Sequence, residues 1–79
     1  MALSIKLLVK VGGALAADLG RTEVELSMPE ASTLCEIARG AGVPPGLVML
    51  YAVNGAVRSP DFVPGDGDEV LLVPAVAGG

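Results

Sequence analysis

The sequence predicts one α+β domain, a mixed sheet of roughly four or five strands with one main helix packed on one face. Three observations predict it. Apolar and polar residues alternate with period two near the start and again after a glycine break, a capped amphipathic segment follows, and an Asn-Gly turn joins two further apolar runs beyond it. The chain has 79 residues, and a chain of about that size buries only ~60% of its unfolded surface. It has room for one core and one domain.

Ile5, Leu7, Val9 and Val11 alternate with Ser4, Lys6, Leu8 and Lys10, the pattern of a strand with one buried face. Gly12-Gly13 breaks it, and Ala14 to Gly20 reads equally as a loop or a helical turn. Alternation resumes from Glu23 to Met28, so a long connection closes a first hairpin, which Pro29 ends. Thr33-Leu34-Cys35-Glu36 fits a capping box, with Thr33 accepting from the first helical turn and Glu36 reaching back to the Thr33 amide. Leu34, Ile37, Ala38 and Ala41 then share one helical face, and Gly42 with Pro44-Pro45 stops the helix. Val48 to Val53 is continuously apolar, as in a strand buried on one face and covered or partner-facing on the other. Asn54-Gly55 signals a type I′ turn into a short return strand at Val57-Arg58. A Pro- and Gly-rich connection from Ser59 to Gly67 leads to the last strand, Glu69 to Pro74. Residues 1–74 thus form the domain and residues 75–79 a flexible C-terminal tail.

Apolar residues make up 52% of the chain and charged ones 18%, more apolar surface than so small a domain hides, so an exposed apolar patch is expected. The net charge of −4, with Lys6 and Lys10 as the only lysines and no Trp, excludes the basic, aromatic-laced surface that nucleic acid requires. It suits basic protein partners and equally an ordinary soluble surface. Cys35 is alone, so no internal disulfide forms, in keeping with a reducing compartment. The opening Met1-Ala2-Leu3-Ser4-Ile5-Lys6 lacks the pattern of a signal peptide and no apolar stretch approaches a membrane span; a cytoplasmic protein without membrane contact is expected.

The chain has no His, so it builds no Ser-His or Cys-His pair and no His-containing metal site. Cys35 lies beside the apolar helical stripe and reads as a packing residue. Asp66-Gly67-Asp68-Glu69 offers oxygens, but is too short for a twelve-residue calcium loop and reads as a charged turn with no metal. None of the glycine pairs extends into a phosphate-cradling motif. The domain is therefore expected not to be an enzyme. What is left with chemical potential is the terminal carboxylate of Gly78-Gly79, either a frayed end or a narrow acyl group able to thread into another protein's active site.

The strand-strand-helix-strand-strand order, Val53-Asn54-Gly55, Asp66-Gly67-Asp68-Glu69-Val70 and the ending Pro74-Ala75-Val76-Ala77-Gly78-Gly79 resemble the ubiquitin-like sulfur carriers of the MoaD/ThiS family across nearly the whole chain. The resemblance implies a ubiquitin-like β-grasp fold. It also implies that a ubiquitin-activating-type enzyme uses ATP to adenylate Gly79, with no cofactor bound by the carrier itself. Sulfur then displaces AMP, and the resulting thiocarboxylate passes sulfur to a small molecule on a synthase subunit. On this reading Gly78 and Ala77 keep the tail thin, Val76 and Pro74 guide it, and Met49, Leu50 and Tyr51 are candidates for the partner surface or equally for the core. The length and the Pro-x-Val-x-Gly-Gly ending lean to the MoaD-like branch, the small subunit of molybdopterin synthase. A thiamine-type carrier, a modifier joined to protein lysines and a non-covalent β-grasp interaction domain stay open as alternatives.

Overall fold

The structure, a computed structural model, describes residues 3–12 and 23–74. Its elements are β1 (Ser4–Val11), β2 (Glu23–Pro29), α1 (Leu34–Gly40), a 3₁₀ turn (Pro45–Leu47), β3 (Val48–Val53), β4 (Ala56–Arg58) and β5 (Glu69–Pro74). The stretch from Ala14 to Gly20 and the tail from Ala75 to Gly79 lie outside the described residues.

All five strands join one sheet in the order β2-β1-β5-β3-β4. β1 pairs antiparallel with β2, and β3 antiparallel with both β4 and β5, while β1 and β5 run parallel. A parallel neighbour cannot be reached through a tight turn. Here the chain between β1 and β5 runs through β2, α1 and the second hairpin, and the last strand slots between the two hairpins. This is the β-grasp arrangement.

The helix-facing side of the sheet is built in registered rows. Val24, Val9, Val70 and Val53 form one row, and Val11, Leu72 and Tyr51 form the next. Val9, Val70 and Leu72 have no exposed surface, and Leu34, Ile37 and Ala38 close over them from α1. The period-two pattern of β1 is therefore realised in full, since Ile5, Leu7, Val9 and Val11 are all buried.

An isolated helix of α1's seven residues is unstable in water, so its ends and its packing hold it. The Glu36 amide donates to Thr33 Oγ1 at 3.2 Å and the Thr33 amide donates to Glu36 Oε1 at 2.9 Å, which completes the expected capping box. The Thr33 amide, and the Thr33 hydroxyl donating to the same Oε1 at 3.1 Å, hold the Glu36 carboxyl below its ordinary value. The amides of Leu34 and Cys35 donate to the carbonyls of Phe62 and Pro60, each at 3.0 Å, so the 59–62 loop occupies the helix start. At the other end Gly42 takes φ +85°, its amide donates to Arg39 O at 3.0 Å and that of Val43 to Ala38 O at 2.8 Å. This is a Schellman stop, which needs a residue without Cβ at Gly42.

Candidate functional site

The opposite, outer face of the sheet carries no helix among the described residues, and its pairing defines what it presents. One row crosses all five strands: Glu23, Lys10, Leu71, Ala52 and Val57. The neighbouring positions are Glu25 beside Leu8, Lys6 beside Ser27, and Val73 beside Leu50. Apart from Leu8 on β1 and Glu69 at the start of β5, the β2–β1 half is thus polar and the β5–β3–β4 half apolar. Leu71 is 38% exposed and Val57 64%, large values for apolar side chains on the two strands that flank β3 on one surface. The expected exposed apolar patch exists and lies here.

The three residues singled out from the Val48–Val53 run separate by face. Leu50 is half-buried on the outer face, opposite Val73. Tyr51 points the other way, is 4% exposed and packs in the helix-side row with Leu72, so it is a core residue and not part of a partner surface. Burial holds its phenol above its ordinary value. Met49 is 66% exposed because the β3–β5 register slips between Val48 and Leu50, which leaves it as the extra residue of a bulge.

That bulge sits at the root of the tail. Val48 pairs with Pro74, the buried last residue of β5, and β5 is the central strand. β5 therefore ends, at Pro74, in the middle of the sheet and next to the Met49 bulge. Val76, Ala77, Gly78 and Gly79 lie outside the described residues. Leu71, Val73, Ala52 and Val57 escape a sequence reading that looks for alternation. The available signal was the unbroken apolar run Val70–Val73, as expected of a central strand clothed on both sides.

The two turn motifs form one hydrogen-bonded unit. Asn54 and Gly55 take φ +51° and +85°, as a type I′ turn demands. Asn54 Nδ2 donates to Asp68 Oδ1 at 3.0 Å, and the Glu69 amide donates to Asn54 Oδ1 at 3.0 Å. Asp68 Oδ2 accepts from the Gly65 amide, and Asp66 Oδ1 from the Lys6 amide, both at 2.8 Å. These carboxylates act as turn staples that fix where β5 enters the sheet. Glu69 points away from them and meets Lys10, Oε1 to Nζ 2.9 Å. Its hydrogen bond and charge, with Glu23 across β2 adding to them, hold the Lys10 ammonium above its ordinary value. Cys35 is half-buried. Among the described residues no helix is long and apolar enough to cross a membrane.

Comparison with known proteins places this fold and this chain among relatives. The chain resembles solved structures over most of its length. Small archaeal modifier protein 1 of H. volcanii is 20% identical with a TM-score of 0.76, over 91% of this chain and 99% of that one. A putative molybdopterin converting factor subunit 1 from Pyrococcus furiosus is 24% identical with a TM-score of 0.70, over 91% and 99%. Urm1 from Trypanosoma brucei is 19% identical with a TM-score of 0.66, covering 100% of both chains. At such identities these likenesses establish the fold, and no curated protein matches by sequence. The sequence profile of the ThiS family, however, matches residues 9–79, from the first strand through the terminal diglycine. The chain belongs to the ThiS family of ubiquitin-like carriers and modifiers.

Proposed function

We propose that this protein is a sulfur carrier whose Gly79 carboxylate is adenylated by a ubiquitin-activating-type enzyme and then converted to a thiocarboxylate. The observation that carries this reading is the family match running through Gly78-Gly79 on a chain with no histidine of its own for nucleophilic catalysis. In the adenylation step a Gly79 carboxylate oxygen attacks the α-phosphate of ATP and pyrophosphate leaves. The mixed anhydride makes AMP a good leaving group, and a sulfur nucleophile displaces it. ATP is the activating enzyme's substrate, and the carrier needs no bound cofactor.

The activating enzyme would dock on the apolar half of the outer face while the tail from Pro74 enters its active site. Gly78 and Ala77 keep that tail narrow, Val76 guides it, and Met49 and Leu50 flank its root. The acceptor we favour is a pyranopterin precursor on a synthase subunit, as in molybdopterin formation, with the cytoplasm as the compartment. Likeness to a putative molybdopterin converting factor supports that choice over a thiamine-type acceptor.

Intact mass after incubation with ATP, a sulfur source and a cognate activating enzyme tests the proposal. One oxygen exchanged for sulfur in the intact chain, and not in a Gly79-deleted control, is the expected result. An unchanged mass, with an enzyme active on its own carrier, would make the domain a non-covalent interaction module. A second reading is favoured by the likeness to an archaeal modifier protein: the same adenylate passed to lysines of other proteins. Adducts on those proteins in the same reaction would select it.

A further inference from the structure

We propose that β2 is a docking edge that takes up an extended, basic strand of a partner protein, one in which apolar and cationic side chains alternate. The inference goes beyond the carrier reading and does not depend on the chemistry at Gly79. β2 and β4 are the outermost strands of the sheet. β4 has three residues, whereas β2 has seven, long enough for an added strand to pair along it.

The register shows which backbone groups β2 turns outward. The Glu30 amide donates to Leu3 O at 2.8 Å, one step beyond the Ser4–Pro29 pair, and hydrogen-bonded pairs alternate along an antiparallel ladder. Met28, Leu26 and Val24 therefore bond to Ile5, Leu7 and Val9. β1 agrees, because the amides of Leu8 and Gly12 donate to the other side, to Asp68 O and Leu72 O. The N–H and C=O groups of Glu23, Glu25 and Ser27 are left facing outward, and among the described residues none of them meets a further strand. Pro29 ends this edge, since it has no N–H and its carbonyl accepts from the Ser32 hydroxyl at 2.6 Å.

The side chains say what kind of strand fits. Val24, Leu26 and Met28 face the helix side and are half-buried against the core. α1 closes on them so nearly that a Cβ at Gly40 would lie 2.7 Å from Met28 Sδ. Apolar residues of an added strand would cover what α1 leaves open. On the other face Glu23 and Glu25 are exposed. Lys10, opposite Glu23, gives its ammonium to Glu69 at 2.9 Å, and neither Glu23 nor Glu25 has an ion pair among the described residues.

These carboxylates reject a second copy of the chain. Antiparallel pairing about Glu25 sets two Glu25 side chains opposite each other, and pairing about Val24 sets Glu23 against Glu25. Pairing about Leu26 sets Glu23 against Pro29, which lacks the donor. A strand with Arg or Lys opposite Glu23 and Glu25 turns the repulsion into attraction. β1 and β5 stand between this edge and β3, so a partner held at β2 leaves the apolar half of the outer face open.

The test titrates the isotope-labelled full chain with the end-blocked hexapeptide Val-Thr-Val-Arg-Val-Lys, ordered to run antiparallel with Arg opposite Glu25 and Lys opposite Glu23. Amide shifts should concentrate in β2, and hydrogen exchange should slow at the Glu25 and Ser27 amides. Glu23→Gln with Glu25→Gln should weaken binding roughly three- to twentyfold. N-methylation of the peptide's Arg, whose amide would donate to Glu25 O, should weaken it about tenfold or more, and N-methylation of the Val before it, whose amide points away, less than about threefold. Equal losses from the two methylations, equal binding with Glu in place of the peptide's Arg and Lys, or no shift in β2 overturns the proposal. Shifts of the β2 amides that follow protein concentration without peptide also overturn it and make a second copy the occupant.

Discussion

On β2 and β1 the outer face presents Glu23, Glu25, Ser27, Lys6 and Lys10 with Leu8 among them, whereas on β5, β3 and β4 it presents Leu71, Val73, Leu50, Ala52 and Val57, with Glu69 at the start of β5. Both halves rest on the same core, and α1 covers only their opposite side. The contrast supports the proposal that a partner covers the apolar half. The tail root lies in the second half, beside Leu50 and Val73.

The largest expected effects test whether the two halves share a core. Leu7→Ala on β1 and Leu72→Ala on β5 should each destabilise by about 2–5 kcal/mol in urea unfolding, because both side chains are nearly or fully buried. A small loss at either one would mean the halves are energetically separate. On the outer face the order should invert, with stability nearly constant and activation divided. Leu71→Glu should lower kcat/KM for adenylation roughly 10- to 100-fold, since it places a charge where a partner must desolvate it, while Glu25→Lys should change it less than about threefold. Equal effects at the two positions would remove the functional distinction between the halves.

Smaller effects concern what aligns the halves. Asp68→Ala removes the acceptor for the Gly65 amide and for Asn54, and should destabilise by about 1–2 kcal/mol in the same unfolding measurement. Thr33→Ala should lose about 1 kcal/mol through the cap of α1. The partner in that cap titrates. Because the folded Glu36 carboxyl lies below its ordinary value, its contribution is present above that ordinary value and lost as pH falls through the lowered one. Urea midpoints of wild type and Glu36→Gln should therefore differ near neutrality and converge in acid; a constant gap would show that the carboxylate charge is not what Thr33 holds.

The helix ends were legible because their signals are local. Thr33 and Glu36 sit three residues apart, and Gly42 follows the last turn, so short-range geometry alone makes the box and the stop. Asn54-Gly55 was legible for the same reason. The proposed partner surface was only half legible. Met49, Leu50 and Tyr51 are equally apolar neighbours, yet a bulge exposes the first, the outer face takes the second and the core takes the third. Nothing within the run marks the bulge, since it arises from how β3 meets the end of β5.

By itself, the sequence determined the elements, the period of β1, the caps of α1, the hairpin turn and the family to which the chain belongs. These depend on residues close in the chain, or on a pattern of residues in order. Only the tertiary structure decided that β5 lies parallel to β1 in the middle of the sheet, that Tyr51 is core, that Leu71 and Val57 share a surface, and that Glu69 meets Lys10. Each of those facts is a pairing between distant segments. Strand register, set by burial of one whole face at once, is what converts a list of strands into neighbours.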